Sequence, residues 1–224
     1  MIVFDSKMLY QFEKREPKLL EKLKKELKSI YHIQEYPFEI LSSPFLKDIK
    51  KAIKRRRYTI IHYKGNRLNI LEKSQIHRIL YSDGNWYIAV YNHTSTGFKD
   101  YHFLRINFIQ KIEILPSTFQ RDIQIEKFIE NFQSLFSLYQ KPSYEVIIEV
   151  SSAVKRHFKI KKHLKSQEII EESETTLTLK YQITSEMEIL PLVKRWIPHI
   201  KIISPDSIKK KLKEDIELYL KSII

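Results

Sequence analysis

Apolar positions along this chain recur with two different periods. Leu20, Leu23, Leu27 and Ile30 return at three- and four-residue spacing and predict an amphipathic helix over residues 17–31. Pro17 suits its first turn, where a missing N–H costs little, and lysines fill the other face. Breaks at Tyr36-Pro37 and Ser42-Ser43-Pro44 precede a second predicted helix over 45–56, with Leu46, Ile49 and Ile53 facing inward. From Tyr58 the period falls to two. Tyr58, Ile60 and His62 alternate with Thr59, Ile61 and Tyr63, which predicts a strand followed by a turn at Lys64-Gly65-Asn66. Asp83-Gly84 then separates two β-rich runs, Ile79 to Ser82 and Asn85 to Tyr91, and predicts a hairpin with positive φ at both turn residues. A turn at Ser95-Thr96-Gly97 leads to strands over 101–106 and 109–115, and Pro116 to Thr118 ends the unit. Short strands joined by tight turns predict a small barrel that closes its own edges.

Residues 124–139 read as an amphipathic helix carrying Phe128, Phe132, Leu135, Phe136 and Tyr139. Beyond Lys141-Pro142-Ser143 the pattern is strand 144–150, helix 153–160, a hairpin of 167–171 with 175–183, helix 186–196 and strand 200–203. That βαββαβ order is the ferredoxin-like plan. Ser204-Pro205-Asp206 opens a terminal helix over 207–221. The expected class is α+β: an N-terminal helical segment over 1–45, a small β-barrel over 46–116, a connecting helix over 117–143 and a ferredoxin-like domain over 144–224.

The formal net charge of +13 over 224 residues changes the picture, because it points to a polyanionic partner. A lysine-rich compositional bias accounts for the same excess, so placement has to decide. Lys47, Lys50, Lys51, Lys54, Arg55, Arg56, Arg57, Lys64 and Arg67 form a first cluster opposed only by Asp48. Lys155, Arg156, Lys159, Lys161, Lys162 and Lys165 form a second, with no acid between Ala153 and Ser166. Lys209, Lys210, Lys211 and Lys213 form a third, which acids at Glu214, Asp215 and Glu217 can pair on the same helix. The first two clusters read either as solvated faces or as phosphate-binding surfaces, while the third, with its acids beside it, reads as a solvated face. The chain has no cysteine, which excludes disulfides and thiolate chemistry and agrees with a cytoplasmic protein. No apolar run approaches the roughly 20 residues that span a bilayer, so no membrane partner is expected, and Met1 to Asp5 does not read as a secretion signal.

Several of these segments resemble the WYL domain of bacterial transcriptional regulators. Ala52 to Arg57 and the strand ending His62-Tyr63 are similar to the start of that domain, and Ile76 to Ile88 resembles its central signature, with Trp86-Tyr87-Ile88 where the family has Trp-Tyr-Leu. Leu104-Arg105-Ile106-Asn107-Phe108-Ile109 resembles the family's Phe-Arg-Leu-Asp-Arg-Ile. Ile202-Ile203-Ser204-Pro205 before a basic helix is similar to the C-terminal extension that often follows it. The chain departs from the family pattern at Ile76 (usually proline), at Phe108 (usually arginine) and at His102, near a common arginine. The resemblance implies that the barrel is Sm-like and binds a nucleotide or single-stranded nucleic acid. It also implies regulation of DNA binding by a helix-turn-helix, which residues 1–50 do not supply, so that a separate or missing segment would carry it.

The residues expected to hold such a ligand are Arg55, Arg57, Tyr63, Arg78, Tyr87, Tyr91, His102 and Arg105, with Lys155, Arg156, Lys159 and Lys162 as a basic surface. Aromatic faces stack on bases and guanidinium forks pair with phosphates. Strand alternation sends Trp86 and Ile88 one way, as core, and Tyr87 the other. Neither a metal site, a cofactor nor catalysis is expected. No histidine pair has the helical spacing of a zinc site with a nearby acid, and no phosphate loop, nucleophile elbow or carboxylate pair is present. The expected function is therefore a non-enzymatic ligand sensor, expected to be a homodimer. The alternative is a dimerisation or accessory protein whose basic faces only confer solubility.

Overall fold

The computed structural model describes Glu21 and residues 39–92 and 100–223. The predicted helix over 17–31 and the turn at Ser95-Thr96-Gly97 lie outside the described residues, Glu21 apart.

Helix α1 (Leu46–Arg55) buries Ile49 and Ala52. It stops because Arg56 takes a left-handed conformation, φ 50°, and its N–H closes back on the carbonyls of Ala52 and Ile53. Five strands follow: β1 (Arg57–Lys64), β2 (Leu68–Ser82), β3 (Asn85–Asn92), β4 (Asp100–Arg105) and β5 (Ile109–Thr118). They form one antiparallel sheet in the order β4-β3-β2-β1-β5. Asp83 and Gly84 have φ 48° and 77°, the positive pair that the hairpin between β2 and β3 requires.

This sheet differs from the sequence reading in three places. No pairing joins β4 to β5 among the described residues, so the expected closure of the barrel is not made by backbone hydrogen bonds there. Strand β2 begins eleven residues before the predicted Ile79, at Leu68. Its Glu72-Lys73-Ser74 centre breaks any alternation, since Lys73 sits at φ 53° next to a shift in register. Strand β5 runs past Pro116, which is tolerated because β5 is the edge of the sheet.

Alternation along β3 gives the sheet two apolar faces. Ile88 and Val90 join Ile61, Leu71, Leu104 and α1's Ile49 in one core. Ala89 and Tyr101 face the other way, onto Ile125 and Ile129 of helix α2 (Ile123–Asn131). Burying each large aliphatic side chain contributes about 1.5–3 kcal/mol, so both helices are held chiefly by these faces. Asp122 caps α2 by accepting from the Gln124 and Ile125 N–H groups. The helix ends at Asn131 and does not continue to Tyr139. Phe132 turns extended, and the next side chain, Gln133, is drawn to the second sheet, where it donates to the Gln182 carbonyl and to Glu188.

The second sheet contains β6 (Tyr144–Ser151), β7 (Glu168–Glu172), β8 (Thr176–Ile183) and β9 (Ile200–Ser204) in the order β7-β8-β6-β9. With helices α3 (Lys155–Ile160) and α4 (Leu190–Arg195), this is the ferredoxin-like arrangement, β8 being inserted between β6 and β7. Val146, Ile148, Leu179 and Tyr181 pack against Phe158, Leu190 and Val193. The predicted helix over 186–196 is split into a 3-10 turn, Glu186–Glu188, and α4. Pro191 explains the break, because it has no N–H to give the Met187 carbonyl in an unbroken helix. Helix α5 (Asp206–Ser222) closes the chain, anchored by buried Ile208. None of the described helices is long and apolar enough to cross a membrane.

Candidate functional site

Tyr87 of β3 lies directly opposite Arg105 of β4. Adjacent strands place such partners on the same face. Tyr63, at the end of β1, belongs to the same neighbourhood: its ring is 6.1 Å from that of Phe108, and the Arg105 backbone and guanidinium both act on its hydroxyl. Burial raises the Tyr63 pKa and outweighs the opposing pull of Arg105.

Arg105 is already engaged by an anion. Its Nε donates to Glu39 at 2.9 Å, its second nitrogen donates to Asn85, and the guanidinium lies 5.2 Å from the centre of the Phe108 ring. Glu39 also accepts from the Trp86 backbone N–H at 3.1 Å. Burial pushes the Glu39 carboxyl up, but the Trp86 amide, Arg105 and Asn107 together hold it below the usual carboxylate range. A guanidinium, a backbone amide and aromatic rings thus form a small anion-binding corner. Glu39 and Asn85 were not among the sequence-predicted site residues, because no spacing rule links them to Arg105.

The other predicted residues are dispersed. His102 pairs with Val90 and by alternation faces away from Arg105. Tyr91 packs 6.0 Å from Tyr139 in the aromatic cluster under α2. Trp86, expected as core, is partly buried against the first core and packs at a tilt against Tyr81, ring centres 4.8 Å apart. Arg55 is exposed in the last turn of α1, and Arg57 starts β1 opposite Thr118. Arg78 donates to Glu126 of α2 at 2.7 Å. Beside the second sheet Lys159 binds Glu172 at 2.9 Å, and Lys155 donates to the carbonyls of Ser173 and Glu174, while Arg156 and Lys162 are exposed. Half of that expected basic surface is therefore committed to the β7–β8 hairpin, which the sequence run alone could not reveal. Among the described residues no group of three acidic, histidine or cysteine side chains is placed to hold a metal.

Among the described residues His77 is buried and His163 is partly so. His77, on β2, packs at a tilt 5.4 Å from Phe119, and burial lowers its pKa against the opposing pull of Glu126 and Asp122 and with that of Arg78. His163 packs at a tilt 4.5 Å from Phe158, and partial burial together with Lys161, Arg195 and His157 lowers its pKa. The unfolded chain therefore binds protons below about pH 6.5, the ordinary imidazole value, more readily than the folded one. Stability is expected to be full above that pH and to fall on acidification toward pH 5, before carboxylates titrate. Urea unfolding across this range checks it. A His77→Leu variant should show a shallower decline, and an identical decline would remove His77 from the account.

Two solved structures cover 80% of this chain. One is a CRISPR Cas-related protein, at 9% identity and a TM-score of 0.51, of which the chain covers 51%. The other is the proteasome accessory factor B/C (PafBC) of Arthrobacter aurescens, at 13% identity and a TM-score of 0.34, of which the chain covers 27%. The chain thus spans about half of the first protein and about a quarter of the second. The first likeness supports the fold alone. No curated protein sequence matches. Residues 44–111, the segment that runs through α1 and into β5 and carries the Trp86-Tyr87-Ile88 strand, match the model of the WYL domain family.

Proposed function

We propose that the chain is the sensing part of a transcriptional regulator and takes an anionic, base-bearing ligand, a nucleotide or a single strand, at Arg105. The observation that supports this reading is the corner itself: Arg105 and the Trp86 amide already hold a carboxylate beside the rings of Tyr63 and Phe108. A phosphate offers the same charge with more acceptor oxygens, and a base can stack on the neighbouring rings. Ligand binding would shift the chain between arrangements only through a difference in affinity for them. DNA reading would belong to a helix-turn-helix supplied elsewhere, in a homodimer.

Fluorescence titration with a short labelled single strand tests this. Affinity is expected to fall at least about tenfold between low and physiological salt, because bound phosphates release counterions. Arg105→Gln is expected to weaken binding by a similar factor. No binding at low salt, or binding indifferent to Arg105, would remove the proposal.

A further inference from the structure

The first sheet and its two helices carry a second electropositive feature, separate from Arg105. Where the end of α1, the middle of β2 and the start of α2 meet, a groove of about 460 Å³ opens. Lys50, Lys54, Arg56, Arg78 and Arg121 line it, brought together from three distant stretches of the chain. Against these five cations stands one carboxylate, Glu126.

The arrangement is built rather than accidental in three respects. Glu126 accepts from Arg78 at 2.7 Å and from Arg121 at 2.9 Å, which fixes both guanidiniums at the rim and holds the acid below the usual carboxylate range despite its burial. Lys50, Lys54 and Arg56 have no ion pair with any described residue, so three positive charges converge without an internal counterion. His77 lines the groove at 7% exposure, and its Nε2 has no hydrogen-bond partner among the described residues. A buried polar nitrogen left unpaired costs about 1–3 kcal/mol, so the wall of the groove holds an unmet hydrogen-bonding group just beneath its surface.

The number and placement of the cations point to the ligand class. Lys50 and Lys54 stand one helical turn apart, about 6 Å along the axis, and Arg78 and Arg121 face them from β2 and the approach to α2. One phosphate needs fewer partners than these five cations offer, whereas linked phosphates can engage several of them at once. The apolar part of the lining, Ile53, Ile76, Ile79 and Phe119, provides a surface for a sugar or base beside them. The volume lies within the roughly 300–1,000 Å³ of ordinary ligand pockets.

We propose that this groove is a binding site for linked phosphates, either the backbone of a nucleic-acid single strand or the polyphosphate of a nucleotide. The proposal rests on the reading of the chain as a sensor of phosphate-bearing ligands and adds a second place where the phosphates are held. Glu126 is then the group against which the ligand competes for Arg78 and Arg121.

The test compares the wild type with a Lys50→Ala/Lys54→Ala double variant and with Glu126→Gln, titrating a short labelled single strand and, separately, a fluorescent nucleoside triphosphate. Both lysines are exposed, so the double variant should fold, and circular dichroism verifies this. The double variant is expected to bind about tenfold more weakly at low salt. Its log–log salt slope for the strand should be shallower by about 1.4, from about 0.7 per neutralised phosphate. Glu126→Gln is expected to bind severalfold more tightly. If the strand responds and the triphosphate does not, the backbone is the ligand; the reverse assigns the polyphosphate. Unchanged affinity and slope for both probes overturns the proposal. Were Arg105→Gln alone to lose binding, the groove would be discarded and the sensor reading kept; were the wild type to bind neither probe, both would go.

Discussion

Glu188→Ala is expected to lower the unfolding free energy by on the order of 3 kcal/mol, from several stranded hydrogen-bond donors. Glu188 is 4% exposed, and no cation pairs with it among the described residues. Five donors satisfy it instead. One oxygen accepts from the Thr184 N–H at 2.8 Å, the Thr184 hydroxyl at 2.6 Å and the Ser185 N–H at 3.3 Å. The other accepts from Gln133 at 2.8 Å and from the Ser137 hydroxyl at 3.0 Å. The first set completes a capping box with Ser185 at the 3-10 turn, and the second ties the segment after α2 to the ferredoxin-like sheet. Removing the carboxylate strands all five donors, and those that stay buried bear the cost. Glu188→Gln should be milder, since it keeps one acceptor but turns an amide toward donors. Urea denaturation of both variants gives the comparison. An alanine variant within about 0.5 kcal/mol of wild type, the scatter of neutral surface changes, would show that water replaces the carboxylate at little cost.

Gln167→Met is the second large loss expected, again about 3 kcal/mol, and it has an internal control. Gln167 is 3% exposed and mates with three groups: its amide donates to the Phe158 carbonyl at 2.8 Å, and its oxygen accepts from the His163 N–H at 2.9 Å and the Tyr181 hydroxyl at 3.0 Å. Tyr181 is wholly buried, and burial raises its hydroxyl pKa well above the usual range. Methionine fills similar space without any of these bonds. Adding Tyr181→Phe to Gln167→Met should recover part of the loss, because one stranded hydroxyl goes with it. The two substitutions should therefore couple by about 1 kcal/mol, as contacting residues do. Strict additivity in a double-mutant cycle would mean that the hydroxyl and the amide do not depend on each other.

Much of the architecture was legible because local pattern and tertiary demand agree. Period-two alternation placed β1 and β3, the Asp83-Gly84 pair fixed the hairpin, and the βαββαβ order gave the second sheet. Legibility failed where a distant partner overrides the local signal. Lys73 bends β2 at a polar stretch that no alternation marks. Gln133 is pulled out of a helix by Gln182 and Glu188, about fifty residues away. The site was legible only in part for the same reason. Tyr87 and Arg105 could be paired from the family pattern, but Glu39 reaches Arg105 from before α1. The groove needed the fold, since Lys54 and Arg121 share it without any sequence relation.

The lysines bound along the β7–β8 hairpin have a consequence for how this protein meets its own copies. Strand β7 is the outer strand of its sheet, exposed throughout, with Ile169 and Ile170 about half accessible. An open row of peptide groups beside isoleucines invites a foreign strand. Glu168 and Glu172 put charge on that strand, paired with Lys180 of β8 and with Lys155 and Lys159 of α3. Charged side chains on an outer strand work against such docking, so an arriving strand would meet carboxylates and their lysines on the flank where geometry alone leaves the sheet unfinished.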